Sequence, residues 1–282
     1  MPLITLLSDW GLDDPYLAEV KLRLYALMPD CRILDISHGL AKDDLIAAAF
    51  MMNDLYPVMP EGSIHLLGVQ DIAGANCPHV VVRIGSQYFI ALDNGFFEYF
   101  HWISGRQAEE VYEIDIWQDP DFDGNDVYTF PSRDLFPKVA AMLAEGRPLD
   151  QIGHSVSLSM KVLPMPMMKI REAKDSNGNR IGCRIYGQIL YVDHFGNVCT
   201  NIRKSDYDCW IKQFPFTGIT IGSKRLKKPP VKAYRDVGEG ALLSLFLKNG
   251  FLEVSICGGN AAQLLGLRKE STVTVDFGSL YD

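Results

Sequence analysis

The alternation of strand-like and helix-like segments over residues 3–69 most narrows the folds open to this chain. Residues 3–7 form an almost continuous apolar run, the pattern of a buried strand. Asp14-Pro15 then reads as a helix N-cap and first helical residue. Leu17, Val20, Leu24 and Leu27 recur at helical spacing and predict a buried face. Residues 33–36 form a second strand, 42–55 a second helix with Asp43 and Asp44 in its first turn, and 63–69 a third strand. This β-α-β-α-β order predicts an α/β N-terminal domain with a mainly parallel sheet, whose sites lie beyond the carboxyl ends of the strands. Polar residues collect at those ends: Asp9 and Asp14, then Ser37 and His38, then Gln70, Asp71 and Gly74. Strands at 80–84 and 88–92 follow and end in Asp93-Asn94-Gly95. Residues 129–134 lead into a helix running to about Glu145, faced by Leu135, Val139, Met142 and Leu143 and stopped by Gly146.

The texture changes at Leu163. Pro164-Met165-Pro166 and the polar run 174–179 read as a linker and a turn, which bounds the N-terminal domain at 1–162 and the linker at 163–180. Beyond it the apolar segments are short and turn-separated, at 185–192, 198–202, 216–221, 241–247, 251–256 and 272–277. One short helix at 260–265 interrupts them, with Gly266 as its stop. Residues 181–282 are therefore expected to form a smaller, all-β, barrel-like C-terminal domain.

A formal charge of −8 argues against nucleic acid or an anionic membrane as the main partner, since either favours a basic patch. It is compatible with a cationic small ligand. Six cysteines without a CxxC pair read as the reduced thiols of a cytoplasmic protein. The N-terminus lacks the basic flank and apolar length of a signal peptide or membrane span.

Residues 186–202 concentrate chemistry in a small space. Two apolar runs flank the tight turn Asp193-His194-Phe195-Gly196-Asn197, and Asn201 lies close by. A surface hairpin with a polar tip is one reading. The other is a binding loop, because a carboxylate that can hold an amine, a ring that can stack and an amide that can read a base edge suit an aminoacyl-nucleoside.

LSDWGLDDPY near the start and VDHFGNVCTNI in the second domain together resemble the S-adenosylmethionine hydroxide adenosyltransferase group, related to the fluorinase and chlorinase. Asp35-Ile36-Ser37-His38, Asp93-Asn94-Gly95, Thr129-Phe130 with Arg133-Asp134, and Leu252-Glu253 followed by Asn260-Ala261-Ala262 extend the match in order over nearly the whole chain. The resemblance implies attack at C5′ of S-adenosylmethionine with release of methionine, in a homotrimer with sites between subunits. S-adenosylmethionine or adenosine is the expected partner, as substrate or ligand, and no separate cofactor or metal is expected. A neutral thioether leaving a sulfonium needs no metal; it needs an aligned nucleophile and exclusion of competing water.

Carried over residue by residue, the resemblance puts Asp14 on the ribose diol, Asp193 on the methionine ammonium and Asn197 on adenine, with Phe195 and Tyr234 flanking the base. Thr129 and Phe130 would line the pocket near the reacting carbon, and Ala261 would offer backbone contacts to adenine. The alternative for Asp14 is a helix cap, and for the two aromatics it is core packing. The hydrolytic members carry an Asp-Arg-His set that organises water. Asp71 matches the Asp, the Arg position falls on or near Pro78 with His79 as the closest polar substitute, and the His is replaced by Pro131. Ser132 sits near the halide-binding Ser of the fluorinase. Lys248-Asn249 stands where the halogenases secure the methionine carboxylate, and Lys248 can serve as a point charge. Hydrolysis to adenosine and methionine is the leading expectation, with Asp71 and Ser132 as catalytic candidates. A binder whose catalytic set has decayed and a halide-using transferase are the alternatives.

Overall fold

A computed structural model describes residues 1–71, 77–116, 129–159 and 163–280. They divide into two compact units, Met1–Leu163 and Pro164–Asp282.

The first unit runs β1 (Leu3–Ser8), α1 (Tyr16–Leu27), β2 (Arg32–Ser37), α2 (Leu45–Leu55), β3 (Ile64–Gly68), β4 (His79–Ile84), β5 (Gln87–Leu92), α3 (Phe96–Ser104), β6 (Glu110–Ile114), α4 (Pro131–Asp134), α5 (Phe136–Ala144) and β7 (Gly153–Ser155). Its seven strands form one sheet in the order β2-β1-β3-β5-β4-β6-β7. The pairings among β2, β1, β3 and β5 are parallel, and those that add β4, β6 and β7 are antiparallel. The sheet is therefore mixed, and the parallel character expected of it holds for one half only. The cause is local: only Gly85 and Ser86 separate β4 from β5, too few residues for a crossover, so the two strands close as a hairpin.

The core packs Ile4, Leu6, Ile64, Leu66 and Ile90 of the sheet against Val20 and Leu24 of α1 and Phe136, Val139 and Ala140 of α5. Leu17 packs at its margin while Leu27 is exposed, so the buried stripe of α1 is narrower than its spacing predicts. Both helix starts shift from expectation. Pro15 occupies the N-cap position of α1 and no side chain caps it, so Asp14 is not the cap. Asp44 caps α2 by accepting the Ala47 N–H at 2.9 Å, which leaves Lys42 and Asp43 ahead of the helix. Elements α3, β6 and β7 were not foreseen. The α3 sequence FFEYFHWIS is aromatic-rich, and aromatic residues are middling helix formers that rank well in strands.

The second unit runs β8 (Lys169–Lys174), β9 (Arg180–Val192), β10 (Val198–Arg203), α6 (Lys204–Ile211), β11 (Phe216–Ile221), β12 (Lys224–Leu226), β13 (Leu242–Phe246), β14 (Phe251–Ile256), α7 (Ala261–Leu264) and β15 (Thr272–Gly278). The strands form a barrel-like antiparallel sheet in the order β12-β11-β15-β9-β10-β14-β13, with β8 also paired to β9. Part of the stretch expected to be linker is thus strand. The unit also carries two helices rather than one. Helix α6 brings Tyr207 and Trp210 into a core with Ile185, Val198, Leu252, Val254 and Phe277. All six cysteines are free thiols. Among the described residues no helix is long and apolar enough to cross a membrane.

Candidate active site

In the first unit, the loops after β1 and β3, the segment before α2 and the approach to α4 surround a cavity of about 610 Å³. Its lining includes Asp9, Trp10, Tyr16, Lys42, Asp43, Gln70, Asp71, Thr129, Phe130 and Arg133. Aromatic rings form one wall: Trp10 meets Phe130 edge-on at 5.2 Å, and Tyr16 meets Phe130 at 5.5 Å. Gly68 makes room for this wall, because a Cβ there would lie 2.0 Å from the Trp10 ring. The Arg133 guanidinium stands over Phe130 and is bound to Asp134 at 2.6 Å and Glu19 at 3.3 Å. With Arg133 paired in this way, the carboxyl groups of Asp9, Asp43 and Asp71 outnumber Lys42 in the lining, an acidic balance that suits a cation.

Asp9 organises the rim. Its Oδ2 accepts the backbone N–H of Asp43 at 2.8 Å and of Gln70 at 3.2 Å. Asp43 and Gln70 have φ of 62° and 51°, a left-handed conformation that costs a non-glycine residue energy. One carboxylate oxygen thus holds two strained residues of the cavity lining.

Asp71 lies beside it. Its Oδ2 accepts the Ser132 N–H at 3.2 Å, in the first turn of α4, while Oδ1 is buried and has no partner among the described residues. The Ser132 hydroxyl is close enough to favour the ionised carboxylate, and it too has no hydrogen-bond partner among the described residues. Burial pushes the Asp71 carboxyl up to about 7, and the neighbouring charge of Asp9 acts in the same direction. Asp71 Oδ1, at the cavity, and Ser132 Oγ, behind it, are two buried polar atoms with no partner among the described residues, and such atoms can grip a small polar molecule.

The cavity thus brings together Asp71, Thr129 and Phe130 of the sequence candidates, with Ser132 behind Asp71. Asp14 does not line it; this residue is exposed and makes no hydrogen bond or ion pair among the described residues. His79 is buried against Phe136 and also stays off the cavity. Desolvation lowers its imidazole to about 4, so it supplies no cation in place of the missing Arg. Gly74 lies outside the described residues. Trp10, Tyr16, Lys42, Asp43 and Arg133 were not proposed from sequence. Asp43 carried a readable signal, as one of two adjacent aspartates of which only one can cap a helix.

In the second unit the turn between β9 and β10 is built around Asp193. Its Oδ1 accepts the N–H groups of Phe195 at 2.9 Å and Asn197 at 2.8 Å, and its Oδ2 accepts Asn197 Nδ2 at 2.9 Å. Oδ2 keeps acceptor capacity for a further donor such as an ammonium. Gly196 has φ of 82°, and a Cβ there would sit 2.0 Å from Asn260 Oδ1, the atom that caps α7 through Gln263 N. The Ala262 N–H donates to Gly196 O at 2.9 Å, so the turn and the α7 start, with buried Ala261, form one assembly.

Phe195 is 72% exposed, which rules out core packing. Tyr234 is half-exposed and its hydroxyl donates to Glu253 Oε1 at 2.8 Å, an oxygen that also accepts from Ser255. Burial raises the Glu253 carboxyl, and the charge of Asp193 adds to that. Glu253 was visible in the sequence as a charge inside an apolar strand. Asn201 is committed to backbone: Oδ1 accepts Gln188 N at 2.7 Å and Nδ2 donates to Met167 O at 3.0 Å. Lys248 is exposed on the β13–β14 turn, and among the described residues no hydrogen bond or ion pair ties it to the Asp193 loop. No group of three metal-ligating side chains occurs among the described residues.

These features define a two-unit protein, α/β followed by an antiparallel β-sheet, with an acidic, aromatic-walled cavity beyond the carboxyl ends of parallel strands. Residues 4–153 match the SAM hydroxide adenosyltransferase N-terminal domain, and residues 187–274 match the C-terminal domain of the same family. The chain belongs to that family. It is 28% identical to an (R)-S-adenosyl-L-methionine hydrolase of Thermus thermophilus, covering 93% of this chain and 95% of the relative. It is 24% identical to a fluorinase of Nocardia brasiliensis, covering 98% and 97%. A crystal structure of an uncharacterized conserved protein from Thermotoga maritima superposes with a TM-score of 0.78 at 28% identity, covering 96% of this chain and 99% of the other.

Proposed function

We propose that this protein hydrolyses S-adenosylmethionine to adenosine and methionine by attack of water at C5′. The observation that carries this reading is Asp71, a buried carboxylate at the cavity with one oxygen unpaired among the described residues and a carboxyl raised to about 7. Near neutral pH such a group is partly ionised and basic enough to take a proton from water. In the reaction an O–C5′ bond forms as the C5′–S bond breaks. Its electron pair stays on sulfur, which leaves as a neutral thioether, and the water proton passes to Asp71. Ser132 offers a second polar atom to fix the water, and the aromatic wall keeps competing water away.

Thr129 and Phe130 lie nearest the reacting carbon in this reading, and Asp14 binds the ribose diol. Asp193 takes the methionine ammonium, Asn197 the adenine edge with Phe195 and Tyr234 against the ring, Ala261 a backbone contact to the base, and Lys248 the carboxylate. Support for these assignments is the family match, the open Oδ2 of Asp193 and the exposure of Phe195. The chain works as a cytoplasmic homotrimer. An ionised Asp71 repels a halide, which favours water as the nucleophile. Incubation with S-adenosylmethionine, with and without chloride, followed by chromatography tests the reading. Adenosine is the expected product. A 5′-chloro nucleoside would establish the transferase instead, and tight binding without product would establish a binder.

A further inference from the structure

A chain of side chains runs from buried Ser8 and His38, against Trp10, out to Asp35 and Lys21 at the surface, and the reaction above does not use it. Ser8, at the end of β1, is wholly buried, and its Oγ lies 2.6 Å from His38 Nδ1. His38 Nε2 lies 3.2 Å from Asp35 Oδ1, an off-line approach that makes the contact electrostatic. Asp35 Oδ2 accepts from Lys21 Nζ at 2.5 Å, at the surface. His38 also meets Trp10 of the cavity wall and the residue that follows it. Its ring stacks on Trp10 with centroids 6.0 Å apart and planes 14° from parallel, and its backbone carbonyl accepts the Gly11 N–H at 2.8 Å.

We propose that His38 is the positioning residue of the Trp10 wall: neutral, it holds Ser8 and Trp10 in the ligand-binding geometry, and protonated, it releases them. The mechanism follows from donor accounting. The Asp35 carboxylate favours the tautomer with hydrogen on Nε2, so Nδ1 is the acceptor of the Ser8 hydroxyl. Protonation puts a hydrogen on Nδ1, aimed at Ser8 Oγ, and the Ser8 O–H must then turn away. That hydroxyl is fully buried, and among the described residues no other acceptor is paired with it. The same protonation places a cation behind a wall that would face a sulfonium. The charged groups that face His38 are Asp35 from β2 and Lys21 from α1. Burial lowers the imidazole, Asp35 works against that, and Lys21 adds to it, so the release belongs below pH 6.5.

The proposal rests on the cavity being the ligand site, and two readouts separate it from that reading. The first needs no ligand: tryptophan emission of the free protein between pH 7.5 and 5. A protonated imidazole stacked on Trp10 quenches it, so emission is expected to fall with a midpoint below 6.5. The change should vanish in Trp10→Phe and in His38→Asn, which keeps an acceptor for Ser8 but does not titrate. The second is S-adenosylmethionine affinity in an Asp71→Asn background, which removes the titration of Asp71 itself. Affinity is expected to fall below pH 6.5, by roughly tenfold once His38 is fully protonated, the low end for a buried hydroxyl left unsatisfied. With His38→Asn added, it should be flat. If His38→Asn does not fold, Asp35→Asn keeps the imidazole and should move the emission midpoint to lower pH. Emission insensitive to pH, a pH effect that survives His38→Asn, or an unmoved midpoint in Asp35→Asn overturns the proposal. A normal emission titration without S-adenosylmethionine binding overturns the proposed substrate and leaves His38 in its role.

Discussion

Asp71 is asked to be buried and charged at once, and the two demands are met at a cost that activity can reveal. Asp71→Asn keeps the shape and the bond from Ser132 N–H but removes the base. Losing a general base lowers rates by roughly 10²–10⁴-fold, so adenosine release should fall by that factor while the dissociation constant changes little. Equal rates for wild type and variant would remove Asp71 from the mechanism. Asp14 poses a cleaner question than its sequence context allowed. Because it caps nothing, Asp14→Ala should shift stability by no more than about 0.5 kcal/mol, as for an ordinary surface change. If it binds the ribose diol, affinity should still fall by about 1.5–3 kcal/mol. Titration calorimetry beside a melting curve reads both quantities, and unchanged affinity would remove Asp14 from the site.

At the scale of elements, the turn between β9 and β10 and the start of α7 behave as one piece. Gly196→Ala forces a Cβ into Asn260 at a left-handed φ, so it should destabilise by about 1–3 kcal/mol and weaken ligand binding together. A variant with wild-type melting and affinity would show that the turn and helix are independent. The same elements show what a sequence can reveal. Periodic segments such as 3–7, 64–68 and 251–256 were readable, because alternation and apolar runs report burial directly. The direction of β4 and β5 is set by the two-residue Gly85-Ser86 turn, which the apolar pattern of either strand does not report. The strand β7, of three residues, carries no periodicity at all. In the site, Asp71, Thr129 and Phe130 announced themselves through family motifs. Lys42 and Asp43 did not, because their position depends on which of two aspartates caps α2. The role of Asp9 depends on two hydrogen bonds to residues 34 and 61 positions away in sequence, a relation that no local pattern encodes.

For the whole molecule, light scattering should report a trimer, and a monomer that retains full affinity would refute the proposed assembly. Stability against pH gives a second global test, because buried groups pull in opposite directions. His65, hydrogen-bonded to Gln87 in the sheet core, is held near 4 by burial, and His79 is held near 4 for the same reason. Between pH 4 and 6.5 the unfolded chain binds these protons and the folded chain does not, so stability rises with pH, by about 3 kcal/mol for each histidine at about 1.36 kcal/mol per unit. Asp71 acts with opposite sign. Its folded form keeps a proton from 3.8 up to about 7 that the unfolded form has lost, so stability falls across that window by about 4 kcal/mol. Burial also lowers the His38 imidazole, on the rising side, and raises the Glu253 and Asp206 carboxyls, on the falling side, so the contributions largely offset one another below pH 6.5. Between 6.5 and about 7 the histidines are spent and Asp71 still falls. The contribution of Asp71 is therefore read by comparing the wild type with a variant at the two ends of the range. Asp71→Asn should melt higher than wild type at pH 8 and show no such gain at pH 4, where the wild-type carboxyl is already neutral. A melting temperature that rises steadily to pH 8, with no gain in the variant, would mean that Asp71 is ionised and well solvated in the folded protein, and the base proposed for hydrolysis would lose the burial that sets its strength.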